Sequence, residues 1–197
     1  MYNGNYGDNK VKFGAYYGGS SKRSMKNLDL ANKRKNAWGT GLIFNHAIDS
    51  IQNVTVAAGF TREISENVNN TSLFRNAYGL GLAYNFVHTT YGVDLERQVT
   101  KNQGDKRIKN EVRAVIRQGL NEDWNVYAMY AYKADKHSNN TDRTRQFMVG
   151  TEYYVFNQGS LKVKPFLEWQ ATRTKYENSA VDRSRDFKTV IGLRAYW

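Results

Sequence analysis

The stretch Phe187–Trp197, FKTVIGLRAYW, decides how this chain is read. Phe187, Thr189, Ile191, Leu193, Ala195 and Trp197 occupy every second position, and Lys188, Gly192, Arg194 and Tyr196 fall between them. A period of two puts the first set on one face of a β-strand and the second on the other. A strand that is apolar on one face, polar on the other and aromatic at its end suits a bilayer barrel better than a soluble sheet. In a barrel the usual order is reversed: the apolar face meets lipid and the charged face lines the interior.

The same alternation recurs in ten segments, approximately 10–18, 37–46, 53–62, 73–87, 90–100, 107–118, 124–135, 144–156, 161–174 and 186–197. In the fourth, Tyr78, Leu80, Leu82, Tyr84 and Phe86 oppose Gly79, Gly81, Ala83 and Asn85. In the ninth, Leu161, Val163, Pro165, Leu167 and Trp169 oppose Lys162, Lys164, Phe166, Glu168 and Gln170. The connections near 19–36, 63–72, 101–106, 136–143 and 175–185 read as mostly long and polar. Those near 47–52, 88–89, 119–123 and 157–160 read as short. Short turns at one end and longer loops at the other describe an up-and-down outer-membrane barrel. The expected fold is therefore all-β, a transmembrane antiparallel barrel of about 10 strands, with 12 as the alternative, spanning 1–197 as one domain. An even strand count would leave both termini on the periplasmic side.

Composition agrees. The 197 residues include no Cys, one Pro, 16 Gly and 14 Tyr. A mean hydropathy of −0.73 and the absence of any run of 18 apolar residues exclude a transmembrane helix. They do not exclude a barrel, since only alternate strand residues face lipid. Tyrosine suits aromatic girdles, where the ring sits at the interface and the hydroxyl in water. MYNGNYGDNK, at the start, lacks the apolar segment of a secretory signal. A mature form, a recombinant product or a domain of a longer protein all fit. The formal charge of +11 calls for an anionic neighbour.

The face expected to line the barrel is strongly charged. It carries Lys12, Lys109, Arg113, Arg117, Lys162, Lys164, Lys188 and Arg194 against Asp94, Glu96, Glu111 and Glu168. The first half of the barrel turns Gly14, Gly39, Gly41, Gly59, Gly79, Gly81 and Ala83 to the same side. Open space beside surplus positive charge is what a narrow anion-selective pore needs. The competing reading is an interior plugged by ion pairs. A second basic cluster, Lys22, Arg23, Lys26, Lys33, Arg34 and Lys35, reads as an extracellular loop able to bind lipopolysaccharide phosphates, a sulfated glycan or an acidic solute.

Signals for catalysis are thin. His46, His88 and His137 lie in or beside connections, the first two towards one end and the third at the other, and no Ser-His-acid spacing is present. The chain is expected to be no enzyme, with an outer-membrane protease or lipid hydrolase as the minor alternative, and to use no cofactor or metal. Its expected partners are outer-membrane lipid and lipopolysaccharide, the barrel-assembly machinery through the C-terminal strand, and a small anionic solute. Nucleic acid is not among them, because the basic strand residues alternate with lipid-facing ones and form no recognised motif.

The segment KVKPFLEWQ, a charged connection, and DFKTVIGLRAYW together resemble the closing hairpin of small outer-membrane porins. In style they are most similar to the monomeric oligogalacturonate and sialic-acid porin family. Pro165, Phe166, Leu167 and Glu168 match its Pro-aromatic-aliphatic-Glu strand, and Ile191, Gly192, Leu193 and Trp197 match its Gly-containing final strand. The resemblance covers about forty residues. It implies a passive, monomeric, anion-preferring channel lined by Arg and Lys, built on twelve strands where ten are counted here. Two other readings stand beside it: a plugged barrel acting as an adhesin through its basic loops, and the membrane domain of a protein or polysaccharide exporter.

Overall fold

A computed structural model describes residues 2–19, 32–67, 72–158, 161–177 and 182–196. All the regular structure in them is antiparallel β. In chain order the strands are β1 Tyr2–Tyr6, β2 Asn9–Gly19, β3 Asn32–Ala47, β4 Gln52–Asn67, β5 Ser72–Phe86, β6 Thr89–Asn102, β7 Asp105–Gly119, β8 Trp124–His137, β9 Asn140–Tyr153, β10 Phe156–Gln158, β11 Leu161–Lys175 and β12 Arg183–Tyr196. Sequential neighbours pair except that β9 and β10 both pair with β11, so the sheet is an up-and-down meander. The short β10 continues the line of β9 along the same edge of β11. Twelve strands therefore fill eleven positions, ten of them long. Among the described residues β12 pairs with β11 alone and β1 with β2 alone, which makes these the two edges of the sheet.

Register fixes which side chains share a face. Leu80 stands opposite Ala58 and Leu95, while Gly79 stands opposite Gly59 and Glu96. On one face Trp38, Phe60 and Tyr78 form an aromatic ladder with ring centroids 5.0 and 5.1 Å apart, and Trp169 stacks on Phe187 at 6.1 Å. The aliphatic residues of this face are equally open to the surroundings: Leu80, Leu82, Val93, Leu95, Ile116, Leu167, Ile191 and Leu193 are all exposed. Among the described residues only Ala37 and Ala131 are buried apolar side chains. A water-soluble sheet of this size would fold over such a face to make a core. Among the described residues nothing covers it.

The strands run farther than the apolar pattern alone indicates. Connections expected near 101–106 and 136–143 shrink to the two-residue turns Gln103–Gly104 and Ser138–Asn139, and into the one near 63–72 β4 runs as far as Asn67 while β5 starts at Ser72. The physical reason is that ladder hydrogen bonds persist beyond the lipid-facing band, where charged residues take over both faces. Three further corrections follow from the register. The stretch Asn32–Asn36 belongs to β3, so Lys33, Arg34 and Lys35 are strand residues, with a bulge between Arg34 and Asn36. The eighth segment, 144–156, breaks at Tyr154–Val155, separating β9 from β10. And β1 is an additional strand, folded onto β2 through a turn in which Gly7 takes φ +60°.

Val87, in the two-residue β5–β6 turn, adopts φ +53°, a left-handed conformation that a β-branched residue tolerates poorly. Replacing Val87 by Asn, which accepts that conformation, is expected to stabilise the fold by about 1 kcal/mol. Urea unfolding in lipid vesicles, followed by tryptophan fluorescence, should show a raised midpoint.

Candidate functional site

The polar face divides into two regions. Across β2–β5 a row of glycines lies in register, Gly14, Gly41, Gly59 and Gly79, and it runs on into Glu96 and Glu111 of β6 and β7. A side chain added at Gly14 or Gly79 would meet nothing within 4 Å. A cavity of about 690 Å³ abuts this region and reaches from Lys12 to Asp94, Glu96 and Arg113.

The second region is a connected set of ion pairs towards the end where Ala47, Phe86, Gly119, Tyr153 and Tyr196 lie. One row in register across β4–β11 reads Asn53, Asn85, Thr90, Arg117, Tyr127, Gly150 and Glu168. Its uncharged part is hydrogen-bonded: Asn85 Nδ2 donates to Asn53 Oδ1 at 2.8 Å, and Thr90 Oγ1 donates to Asn85 Oδ1 at 2.6 Å. Its charged part converges on Glu152, one step nearer the same end. Arg117 Nη2 reaches over β8 to Glu152 Oε1 at 2.6 Å, Lys164 Nζ meets the same oxygen at 2.9 Å, and Arg194 Nη1 meets Oε2 at 2.9 Å. Arg194 Nη2 also binds Glu168 Oε1 at 2.8 Å, and the Tyr127 hydroxyl donates to that same atom at 2.6 Å.

Packing explains why these charges are held so firmly. The Tyr127 ring lies over Gly150 and the Phe166 ring over Gly192, where any β-carbon would collide with them. Glycine at these two positions lets an aromatic ring lie flat on the sheet and aim its neighbours. The Arg194 guanidinium then stacks on Phe166 at 4.2 Å. Lys164 sits between the Tyr154 and Tyr196 rings, at 5.0 and 5.4 Å. Glu152 and Lys164 are the two most enclosed charges of the set, with side chains 4% and 8% exposed.

All twelve charged residues expected to line an interior, eight cations and four acids, lie on this one face. Five of the eight cations are engaged: Arg117, Lys164 and Arg194 as above, Arg113 with Glu111 at 2.7 Å and Asp94 at 4.0 Å, and Lys109 with Asp135 at 3.8 Å. Lys12, Lys162 and Lys188 form no ion pair among the described residues. Glu152 is the residue that sequence reading passed over. Its alternation with Gly150 and Met148 already placed it on the polar face, but only the register shows three cations converging on it. Of the second basic cluster, Lys22, Arg23 and Lys26 lie outside the described residues, and for Lys33, Arg34 and Lys35 only the backbone is described. The histidines lie apart, His46 and His88 towards one end and His137 at the other, with His46 Nδ1 hydrogen-bonded to Asn9 Oδ1 at 2.9 Å. Among the described residues no three His, Asp or Glu side chains come together to hold a metal ion.

Substituting Glu152 by Gln leaves Lys164 enclosed without a counter-charge. The expected loss of stability is about 2–3 kcal/mol, below that of a fully buried pair because Arg117 and Arg194 are 43% and 37% exposed. Urea unfolding of the folded protein in vesicles measures it. Glu168→Gln, which leaves the Glu152 contacts in place, should cost less.

No protein-family model matches the chain, and no curated protein matches it in sequence. Among solved structures it is similar to the outer-membrane expressed OmpT of Vibrio cholerae, with a TM-score of 0.55 and 12% identity, over 98% of this chain and 78% of that one. At that identity the likeness concerns the fold. Together with the uncovered apolar face, it makes this chain an all-β, up-and-down protein of the outer-membrane β-barrel type, a fold that resides in the bacterial outer membrane.

Proposed function

We propose that the polar face lines a narrow channel that favours small anionic solutes. The observation that carries this reading is the charge left over once the ion pairs are counted. Around Glu152 and Glu168 three cations, Arg117, Lys164 and Arg194, meet two carboxylates, and Lys162 lies on the same face with no ion pair among the described residues. The glycine row of β2–β5 supplies room on that face, with Lys12 beside it. Fixed, paired guanidinium groups suit a selectivity element: they present donors in a set geometry while their carboxylate partners weaken the hold enough for a solute to leave. The resemblance of the closing hairpin to the oligogalacturonate and sialic-acid porins supports acidic sugars as the solute class. Catalysis forms no part of this reading.

A plugged barrel is the second reading, favoured by the density of pairing over β7–β12. Single-channel recording separates the two. Purified protein in a planar bilayer under a KCl gradient is expected to give discrete steps with an anion-selective reversal potential. Replacing Lys12, Lys162 and Lys188 by Gln should move that potential towards zero without unfolding the protein, because none of the three holds a partner among the described residues. A silent bilayer, with folding confirmed by heat-dependent gel mobility, overturns the channel.

A further inference from the structure

The apolar face carries a second feature, at its opposite end. At the end where β8 turns into β9 and β11 leads to β12, the outward positions of β9, β11 and β12 are basic. Arg145, Arg173 and Arg185 stand in register across the three strands, and so do Arg143, Lys175 and Arg183. The six side chains are exposed, and none forms an ion pair among the described residues. The residues alternating with them, Thr144, Thr172, Thr174, Ser184 and Asp186, turn to the polar face. Asp142 and Glu177, acids at this end, are already occupied by backbone amides: Asp142 Oδ1 accepts from Glu177 N and Glu177 Oε2 from Thr141 N.

Directly opposed side chains in an antiparallel sheet have β-carbons ~4.5–5.5 Å apart, and like charges so placed repel. Three abreast and two deep, this grid is unfavourable without a counter-anion. Its position says which one. Two residues nearer the membrane along each strand come Phe147, Ala171 and Phe187, again in register, with Tyr130 opposite Phe147. A cleft of about 210 Å³ joins the two rows, bounded by Arg145, Arg173 and Arg185 on one side and Tyr130, Phe147 and Phe187 on the other. Aromatic rings mark the interface between hydrocarbon and headgroups, which puts the grid at headgroup height, facing lipid. The widest gap in sequence between consecutive strands, from Gly19 of β2 to Asn32 of β3, is at this end, and in barrels of this type the longer loops are extracellular. The anion found at that height in a Gram-negative outer leaflet is the phosphate of lipopolysaccharide.

We propose that the outward face of β9, β11 and β12 is a lipopolysaccharide site, in which Arg145, Arg173 and Arg185 bind a lipid phosphate and Tyr130, Phe147 and Phe187 carry its acyl chains. Arginine suits the task because its planar fork donates two parallel hydrogen bonds to a phosphate. Arg143, Lys175 and Arg183, one row farther out, face the sugar-borne phosphates. The site rests on the outer-membrane fold and is independent of whether the polar face conducts.

The test is native mass spectrometry of the full chain, folded in detergent, titrated with deep-rough lipopolysaccharide or its enzymatically dephosphorylated form. The wild-type protein should retain the intact lipid and bind the dephosphorylated form at least tenfold more weakly. Arg145→Gln/Arg173→Gln/Arg185→Gln should lose binding by a similar factor. Lys101→Gln/Lys106→Gln should not, since it removes an opposed basic pair on β6 and β7 at the same end but outside the cleft. Should the triple Gln variant fail to fold, the triple Lys variant keeps the charge without the fork and should bind several-fold more weakly. Equal binding of the two lipid forms, equal loss in the Lys101/Lys106 variant, or full competition by phosphatidylglycerol would overturn the site. Loss of conductance with binding intact would overturn the channel and leave this site standing.

Discussion

Everything in this molecule depends on where its apolar surface goes. Ten long strands alternate apolar and polar residues, and the described residues supply nothing to cover the apolar side: only two alanines are buried among their apolar side chains. A protein in water could not leave Leu80, Leu82, Ile191 and Leu193 exposed on one continuous face. A bilayer supplies the missing cover, and backbone groups that cannot meet water there must be paired within the sheet. The requirement explains the near-unbroken strand-to-strand registers, the short turns and the scarcity of proline.

The same constraint gathers polarity on the opposite face and makes its arrangement consequential. With no apolar core, the polar face has to satisfy its own charges, and it does so through Glu152, which draws cations from β7, β11 and β12 together. Glycine has opposite uses in the two halves of this face. In the row Gly14, Gly41, Gly59 and Gly79 it leaves space, whereas at Gly150 and Gly192 it makes room for the aromatic rings that hold Arg194 and Glu168 in place, as Gly39 does for the Tyr16 ring. Crowded charge on one side and open backbone on the other is the asymmetry from which the channel reading follows.

Much of the fold was legible in the sequence because period-two alternation is a local signal. The ten long strands and their faces follow from residues such as Tyr78, Leu80 and Leu82 against Gly79 and Gly81. Strand ends were less legible, since alternation of apolar residues stops at the edge of the lipid while hydrogen bonding does not. Turns at Gln103–Gly104 and Ser138–Asn139 therefore read as longer loops, and β1, whose YNGNY is polar, went unseen. At the site, the faces of Arg117, Lys164 and Arg194 were readable but their meeting at Glu152 was not. That contact joins residues 12 to 42 apart, and only pairing register brings them together. The basic grid of β9, β11 and β12 was hidden for the same reason: its cations are scattered along the chain and adjacent only across strands.

The central claim is that the apolar face meets lipid and the polar face meets water. Because the chain has no cysteine, single spin labels report on it cleanly. Labels placed one at a time from Tyr78 to Phe86 in vesicles should be most accessible to oxygen at even positions and to a water-soluble nickel chelate at odd ones, with a period of two. Equal accessibility of both sets to the chelate, or the reverse alternation, would contradict the account.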